Sequence, residues 1–399
     1  MNPWRGLGSL PREVWVQCTA TFINRTGMMV LPFLALYMHR TLGYSVEQAG
    51  IALTVYGLGA FSTAPLAGRA SDYLGARRVM IASLFLSGVM LFILLLAKSF
   101  ATILILTFVW AVISEAFRPA SLVSITELVT PEQRKTAFSV NRLAINLGMS
   151  VGPALGGFLI IVSYPLLFVV DGATSIVAGC VLLLAPWHPV RHETENRLAP
   201  VGAGEQPGVP TDVPRENFRR DRKLRSFLIA IVPVVVVFFQ HEGAMPLYLV
   251  NDLHLPESAY GLLFTVNTAL IILFEVPLNI GMSHWTHRRS LALGAFLSGL
   301  GFGAMGIVST QVGVALTVVV WSFGEMILFP AAANYMADIA PVDRRGVYMG
   351  LFQMTFSFSF AISGWLGTST LDHFGGVVLW AATFIAGCIS ALLLWRVRR

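Results

Sequence analysis

The chain has 399 residues, of which 55% are hydrophobic and only 12% are charged. A soluble globular domain carries about 25% charged residues, so this composition excludes an ordinary soluble protein. The formal net charge is +6, and the basic residues follow the loop bias of a membrane protein, so a nucleic-acid partner is not expected.

Apolar stretches long enough to cross a bilayer as helices recur along the whole chain. We predict an all-α membrane protein with twelve transmembrane helices, at residues 14–38, 46–68, 79–97, 101–124, 137–161, 165–187, 226–250, 258–282, 290–309, 312–335, 346–369 and 375–395. The segment before the first span is too polar for a signal peptide, so the first span is expected to direct membrane insertion.

The basic residues predict the orientation of these spans. Most of the 27 Lys and Arg residues lie before the first span, in the even-numbered loops, between spans 6 and 7, or after the last span. Only Arg40 and Lys98 lie in loops on the opposite side. Because cytoplasmic loops carry an excess of Lys and Arg, both termini are predicted to be cytoplasmic in a multi-pass protein of the inner (plasma) membrane.

An internal repeat divides the chain. Trp110 begins WAVISEAFRPA, and Trp321 begins the similar WSFGEMILFPA 211 residues later. The same offset relates Gly50 to Gly261, Arg78 to Arg289, Pro119 to Pro330 and Arg134 to Arg345. We therefore predict two parallel, pseudo-symmetric six-helix halves, at residues 1–187 and 226–399, joined by a cytoplasmic linker at 188–225 that is rich in Pro, Gly and charge. Such repeats place a binding site near the membrane midplane between the halves.

The loop after span 2 has a distinctive motif, GRASDYLGARRVM at residues 68–80. It resembles the motif G-x-x-x-D-x-x-G-x-R/K-R/K between helices 2 and 3 of the major facilitator superfamily, although Tyr73 replaces a commonly basic residue. The resemblance implies a cytoplasmic latch of Asp72, Arg77 and Glu127, with Arg142 either joining the latch or extending to the membrane interface. The candidate gate residues are Gly68, Asp72, Gly75, Arg77, Arg78, Glu127 and Arg142.

Span 5 contains GMSVGPALGG at residues 148–157. Gly148, Gly152 and Gly156 share one helix face, which allows close helix packing, and Pro153 bends the helix. Together with Gly157, these residues also resemble the motif of the antiporters in the superfamily. The resemblance is greatest to the 12-helix drug:proton antiporter branch and implies export, although the usual Arg-x-x-x-Gly motif of span 4 is missing.

A second resemblance favours an alternative. Glu325 lies in GEMILFP, which is similar to the G-E-x-x-x-x-P pattern in helix 10 of proton-coupled oligopeptide symporters. Only half of that signature is present, because Asn24 replaces the glutamate of their first-helix motif. A proton-coupled symporter of peptides or similar small metabolites, and a lipid or lysolipid translocator of the same fold, therefore remain alternatives.

Burying an ionisable side chain in a bilayer costs free energy, so ionisable residues within spans are expected to face the bundle interior or water. The candidates are Arg25, Glu115, Arg118, Arg142, Asp171, His241, Glu242, Glu275 and Glu325. Glu325 is the first candidate for binding a proton or cation, with Arg25 as its expected partner across the cavity.

Each of the other charged residues has a structural interpretation, in some cases as an alternative to a functional one. Glu115 and Arg118 are three residues apart and form either a structural pair or a coupling site. His241 and Glu242 lie about two turns from the outer surface, and His241 is expected to be hydrogen-bonded at the cavity rim. Glu275 is either a gate residue or the partner of a loop arginine. Asp171, near the outer end of span 6, is expected to be exposed to water.

Several functional classes lack their motifs. No G-x-x-x-x-G-K-[ST] occurs, which argues against nucleotide-driven transport, and the eight scattered histidines do not suggest a metal centre or an enzyme. We predict a monomeric secondary transporter without cofactors that exports small lipophilic or cationic compounds in exchange for protons by alternating access.

Overall fold

Regular structure in the described residues is entirely helical. The computed structural model describes residues 7–130, 133–187, 221–282, 284–341 and 345–397, with side chains for all of these except 64, 65, 68, 69, 72, 135 and 345–347. Most of the predicted linker, residues 188–220, lies outside these ranges. Near the end of the predicted linker, the side chain of Asp221 accepts hydrogen bonds from the backbone amides of Lys223 and Leu224 and thereby starts a helix at Arg222.

Fourteen α-helices form the described chain. The N-terminal part, residues 7–187, contains α1 (Arg12–Gly27), α2 (Val30–Arg40), α3 (Val46–Leu74), α4 (Ala76–Leu96), α5 (Phe100–Glu115), α6 (Phe117–Leu128), α7 (Arg134–Val162) and α8 (Pro165–Leu184). The C-terminal part, residues 221–397, contains α9 (Arg222–Phe238), α10 (Ala244–Leu247), α11 (Glu257–Gly281), α12 (His287–Ala304), α13 (Gln311–Ile339) and α14 (Arg345–Arg396). Short 3₁₀ turns lie at Leu7–Ser9, Phe239–His241 and Met305–Ile307, and a π-helical turn lies at Tyr248–Asp252.

Among the described residues, nine helical segments are long and apolar enough to cross a membrane. The predicted spans 1, 4 and 7 are not continuous helices. Span 1 is divided into α1 and α2 at Met28 and Met29, and span 4 is divided into α5 and α6 at Ala116. Span 7 passes from α9 through a 3₁₀ turn into α10.

Helix α14 contains the predicted spans 11 and 12 as two arms. The arms meet at Gly375, whose φ of 79° is non-helical. A side chain at this φ costs roughly 1–2 kcal/mol, so glycine is the residue that permits the turn.

The apolar cores differ between the two ends of the bundle. One large cluster combines α2 with residues from α10, α11 and α13, so the N-terminal and C-terminal parts share a core there. At the opposite end, Leu10, Val14 and Leu128 belong to one cluster, whereas Leu224 and Val397 belong to another. We call these the shared end and the split end. The N-terminal and C-terminal parts are thus packed together at the shared end and have separate cores at the split end.

Two helix pairs join the N-terminal and C-terminal parts. Helix α3 packs on α14, where the Thr54 hydroxyl donates to the carbonyl oxygen of Ala361 at 2.7 Å. Helix α7 packs antiparallel to α11, where the Thr265 hydroxyl donates to the carbonyl oxygen of Ser150 at 3.1 Å. These pairs enclose the helices that carry the candidate site.

Candidate functional site

The break in the first membrane helix is held by a distant acid. The backbone amides of Met29 and Val30 both donate to Oδ2 of Asp171 in α8, at 3.1 Å each. Asp171 is only 4% exposed. The expectation that this residue faces water was wrong, because its carboxylate satisfies amides at the start of α2 that have no partner within that helix.

Replacing Asp171 by alanine is expected to destabilise the protein. Two buried amides would lose their acceptor, and each unsatisfied group costs roughly 1–3 kcal/mol. Asp171→Asn retains one acceptor oxygen and is expected to lose less. Thermal unfolding of the two variants in detergent tests this order, and equal melting temperatures for wild type and Asp171→Ala would contradict it.

Arg25 lies beside this break, in a polar cavity of the N-terminal part. Its side chain is 7% exposed, its Nη1 donates to the Met28 sulfur at 2.9 Å, and its Nε has no partner among the described residues. The cavity walls also carry Asn24, Tyr56, Ser83, Ser87, Ser114, Glu115, Asp171 and Ser175. The space open to the centre of a water molecule is about 30 Å³, which suits waters or a small ion and excludes a drug-sized molecule.

Glu115 and Arg118 do not form the ion pair considered from the sequence. Helix α5 ends at Glu115, and Ala116 separates it from α6. The Tyr56 hydroxyl donates to Oε1 of Glu115 at 2.9 Å, which directs this carboxylate into the cavity, whereas Arg118 is exposed. The helix break between them removes the geometry of a regular helical pair.

Glu325 lies in a second polar cluster, in the C-terminal part. Nδ2 of Asn267 in α11 donates to Oε2 of Glu325 in α13 at 2.9 Å, and also to the Ser322 hydroxyl at 2.9 Å. Asn267 is buried and Glu325 is half-buried. Glu325 forms no ion pair within the described part of the chain, and the structure does not bring it together with Arg25. Asn267 was missed from the sequence because only charged residues in spans were considered, although a neutral amide in an apolar helix gives a similar signal.

His241 and Glu242 occupy the break in the seventh predicted span. The helical hydrogen bonding of α9 gives way to the 3₁₀ turn, and Pro246 lacks an amide proton just beyond it. Nδ1 of His241 lies 2.6 Å from the carbonyl oxygen of Phe238, and its Nε2 lies 3.6 Å from Oε1 of Glu242. Both residues are buried, and the His241 ring is hydrogen-bonded.

Aromatic rings form a continuous path from His241 towards the split end. Phe238 contacts Phe329 at a centroid distance of 4.9 Å, Phe329 contacts Phe356 at 5.3 Å, and Phe356 contacts Phe352 at 5.1 Å. We call these four residues the aromatic wall. Three of them, Phe238, Phe329 and Phe356, are half-buried, as is Glu325. Aromatic faces of this kind bind apolar surfaces and organic cations.

The glycine motif of α7 faces the break between α1 and α2. A Cβ atom at Gly148 would overlap the side chain of Arg25, and one at Gly152 would lie 2.9 Å from the carbonyl oxygens of Arg25 and Thr26. Gly156 faces Phe33 and Met29 in the same way. The other two residues of the motif, Pro153 and Gly157, face α11. Gly157 packs on Ser258, and the carbonyl group of Pro153 packs on Gly261. The motif therefore brings α7 close both to the helix carrying Arg25 and to the other part of the chain.

Arg142 and Glu275 form an ion pair between α7 and α11. The Arg142 side chain is 62% exposed, whereas Glu275 is mostly buried. This pair joins the N-terminal and C-terminal parts, as the gate interpretation of Glu275 requires, but its partner is the span residue Arg142 and not a loop arginine.

Charge reversal tests the Arg142–Glu275 pair. Arg142→Glu and Glu275→Arg are each expected to lower the melting temperature, because each places like charges together, and the double variant is expected to regain part of the loss. The coupling energy should be near the lower end of about 0.5–3 kcal/mol, since water screens the exposed guanidinium. Strictly additive effects in a double-mutant cycle would contradict the pairing.

The structure describes part of the gate motif. Gly68 and Asp72 belong to α3, and the side chain of Asp72 lies outside the described residues. Arg77 donates to the carbonyl oxygens of Leu182, Leu183 and Ala185 at the end of α8 and lies over the Trp187 ring. The structure does not bring Arg77 into an ion pair with Glu127.

The other described gate residues surround this contact. Gly75 joins α3 to α4 with a φ of 84°, and Arg78 is exposed. In the C-terminal part, Arg288 donates to the carbonyl oxygen of Trp395 at 2.7 Å and lies over that residue's ring. Arg77 and Arg288 are 211 residues apart, so the sequence repeat corresponds to a repeated arginine–tryptophan contact.

Comparison with known proteins agrees with these features. The sequence model of the Major Facilitator Superfamily matches residues 18–250 and again 227–399. An uncharacterized MFS-type transporter, YqjV of Bacillus subtilis (strain 168), is 23% identical over 383 residues, covering 94% of this chain and 89% of the relative. The multidrug resistance protein MdtH of Aeromonas salmonicida (strain A449) is 22% identical over 373 residues, covering 92% and 90% respectively.

Solved structures show the same fold. A POT family transporter in complex with 5-aminolevulinic acid has a TM-score of 0.76 at 15% identity, with 97% of this chain and 96% of that chain covered. The family match and the transporter relatives identify a multi-pass membrane transporter and not an enzyme. The sequence model of the family matches this chain twice, so the chain belongs to the Major Facilitator Superfamily.

Proposed function

We propose that the protein is a secondary active transporter that exports small lipophilic or cationic compounds in exchange for protons. In this proposal twelve transmembrane helices form two six-helix halves, residues 1–187 and 226–399, connected by the linker 188–225. The contacts of Arg77 with Trp187 and of Arg288 with Trp395 support this two-fold arrangement, because the two arginines are 211 residues apart, the offset found in the sequence.

The position of Glu325 is the observation that carries the proposal. Its carboxylate is held by the neutral Asn267 amide, has no ion-pair partner in the described ranges, and lies on the helix that supplies Phe329 to the aromatic wall. An acid in such surroundings can be neutralised either by a proton or by an organic cation. Exchange of these two occupants at one carboxylate is the chemistry of antiport.

The remaining features support alternating access and its orientation. Separate cores at the split end leave the N-terminal and C-terminal parts able to rock about their shared end. We propose that the split end and both termini face the cytoplasm from the inner membrane, since cytoplasmic loops carry an excess of Lys and Arg. Export is favoured by the antiporter-like glycine motif of α7 and by the similarity to MdtH, which is named a multidrug resistance protein. We propose a monomer as the transporting unit.

Accumulation in proteoliposomes tests the proposed function. Vesicles with an acidic interior are expected to accumulate ethidium, because protons leaving down their gradient drive the cation inward, and protein-free vesicles should not. Vesicles with an acidic exterior that instead accumulate a radiolabelled dipeptide would favour the symporter. Transfer of a labelled lysolipid between leaflets, without ethidium accumulation, would favour the lipid translocator.

A further inference from the structure

The imidazole ring of His241 is surrounded by aromatic side chains. The ring centroids of Phe238, Phe239, Phe264 and Trp321 lie 4.6, 6.3, 5.5 and 5.9 Å from its own. We call these four residues the aromatic cage. Rings at such distances attract a cation through their negative faces. The cage adjoins the aromatic wall, because Phe238 belongs to both.

Acidic groups add to the attraction for a positive charge. Oε1 of Glu242 lies 3.6 Å from Nε2 of His241, and Glu325 in α13 acts on the same ring electrostatically. From α11, the Tyr260 hydroxyl donates to the backbone carbonyl of His241 at 2.9 Å. The cage therefore favours a cation, and two carboxylates face it.

The hydrogen bonding of His241 identifies the nitrogen that changes its proton. A carbonyl oxygen only accepts hydrogen bonds, so the contact with Phe238 requires the proton on Nδ1. Nε2 faces Glu242 and is free to gain or lose a proton. Protonation there makes the ring itself a cation inside the cage.

The cage has no room for a second occupant. The cavity lined by His241, Met245, Tyr260, Leu263, Phe264 and Trp321 leaves about 10 Å³ for the centres of water molecules. That is about one water. An organic cation can enter only if the imidazole leaves.

We propose that protonated His241 is an internal cation that competes with a monovalent organic cation for the aromatic cage. The incoming cation displaces the imidazolium ring, and the displaced ring releases its Nε2 proton to water. The inference rests on the proposed export of cations and adds a proton-linked site separate from the Glu325 carboxylate. The Trp321 indole N–H, buried without a partner among the described residues, can donate to an acceptor atom on the ligand.

Equilibrium binding of radiolabelled tetramethylammonium, a cation of about the size of an imidazole ring, to the purified full-length protein in detergent tests the competition. The experiment uses Glu325→Gln as background, so that the pH dependence due to this acid is removed. Binding is expected to weaken about tenfold between pH 8 and pH 5.5. Adding His241→Phe should make binding nearly independent of pH, with high-pH affinity retained, and adding the exposed control His373→Phe should change nothing.

A permanent charge provides the second arm of the test. His241→Lys keeps a cation in the cage and is expected to bind tetramethylammonium weakly at every pH. Unchanged pH dependence in His241→Phe, or full high-pH affinity in His241→Lys, would overturn the proposal. Because binding is measured without a membrane, its outcome is distinguishable from a failure of proton-driven transport in vesicles.

Discussion

Glu325→Gln is expected to abolish proton-driven accumulation of ethidium in vesicles and to slow cation exchange at equal pH, because the proposed exchange of proton and cation takes place at this carboxylate. Glutamine preserves the size of the side chain and an acceptor for the Asn267 amide, but it cannot bind or release the coupled proton. Accumulation driven by an acidic interior should fall by about tenfold or more, the loss expected when an intramembrane acid on a proton route is removed.

A matched acid provides the control for this result. Glu47 also accepts one hydrogen bond, from the Trp365 indole at 3.0 Å, but this contact is exposed. Glu47→Gln should therefore transport like wild type. Proton-driven accumulation retained in Glu325→Gln would place the coupled proton elsewhere, and Glu115, directed into the N-terminal cavity by Tyr56, would become the next residue to replace.

Gly152→Ala is expected to reduce the stability of the folded protein. Its Cβ atom would lie 2.9 Å from two backbone carbonyl oxygens of α1, and backbone atoms cannot rotate away as side chains can. Overpacking of this kind costs roughly 1–3 kcal/mol. We expect a lower melting temperature in detergent and weaker transport, because the displaced segment carries Arg25.

Gly350 supplies the control for this substitution. It lies in α14, and no atom would meet a Cβ placed on it within 4 Å. Gly350→Ala should be neutral or slightly stabilising, since alanine favours a helix. Equal melting temperatures for the two variants would show that the close approach of α7 to α1 contributes little.

The long helices could be predicted from the sequence because the bilayer imposes a simple length requirement. Helices α4 and α12 are largely apolar after their basic first turns and lie close to their predicted spans. The breaks in other spans depend on partners far away along the chain. The carboxylate of Asp171, which satisfies the amides of Met29 and Val30, is more than 140 residues from the break.

Charged residues within the spans could be identified from the sequence, but their partners could not. A charge within an apolar stretch is visible in the sequence, and Arg25, Glu242 and Glu325 all lie in partly or fully buried surroundings. Their partners depend on how helices rotate against each other. Glu325 therefore contacts Asn267, whereas Arg25 lies with Glu115 and Asp171 in the other part of the chain.

The arginine–tryptophan contacts could not be predicted from the sequence repeat alone. The offset of 211 residues was visible at Arg78 and Arg289, and their preceding neighbours Arg77 and Arg288 are the residues that bind the helix ends. Carbonyl oxygens at a helix end offer acceptors to any nearby arginine. Sequence spacing cannot specify which arginine reaches them.

The most direct test of proton antiport follows the proton itself. Wild-type proteoliposomes containing a pH dye are prepared at equal pH on both sides, and ethidium is added outside. The account predicts that the interior becomes more alkaline as the cation enters and a proton leaves, with no such change in protein-free vesicles. An interior that becomes acidic, or whose pH stays constant while ethidium enters through the protein, would contradict it.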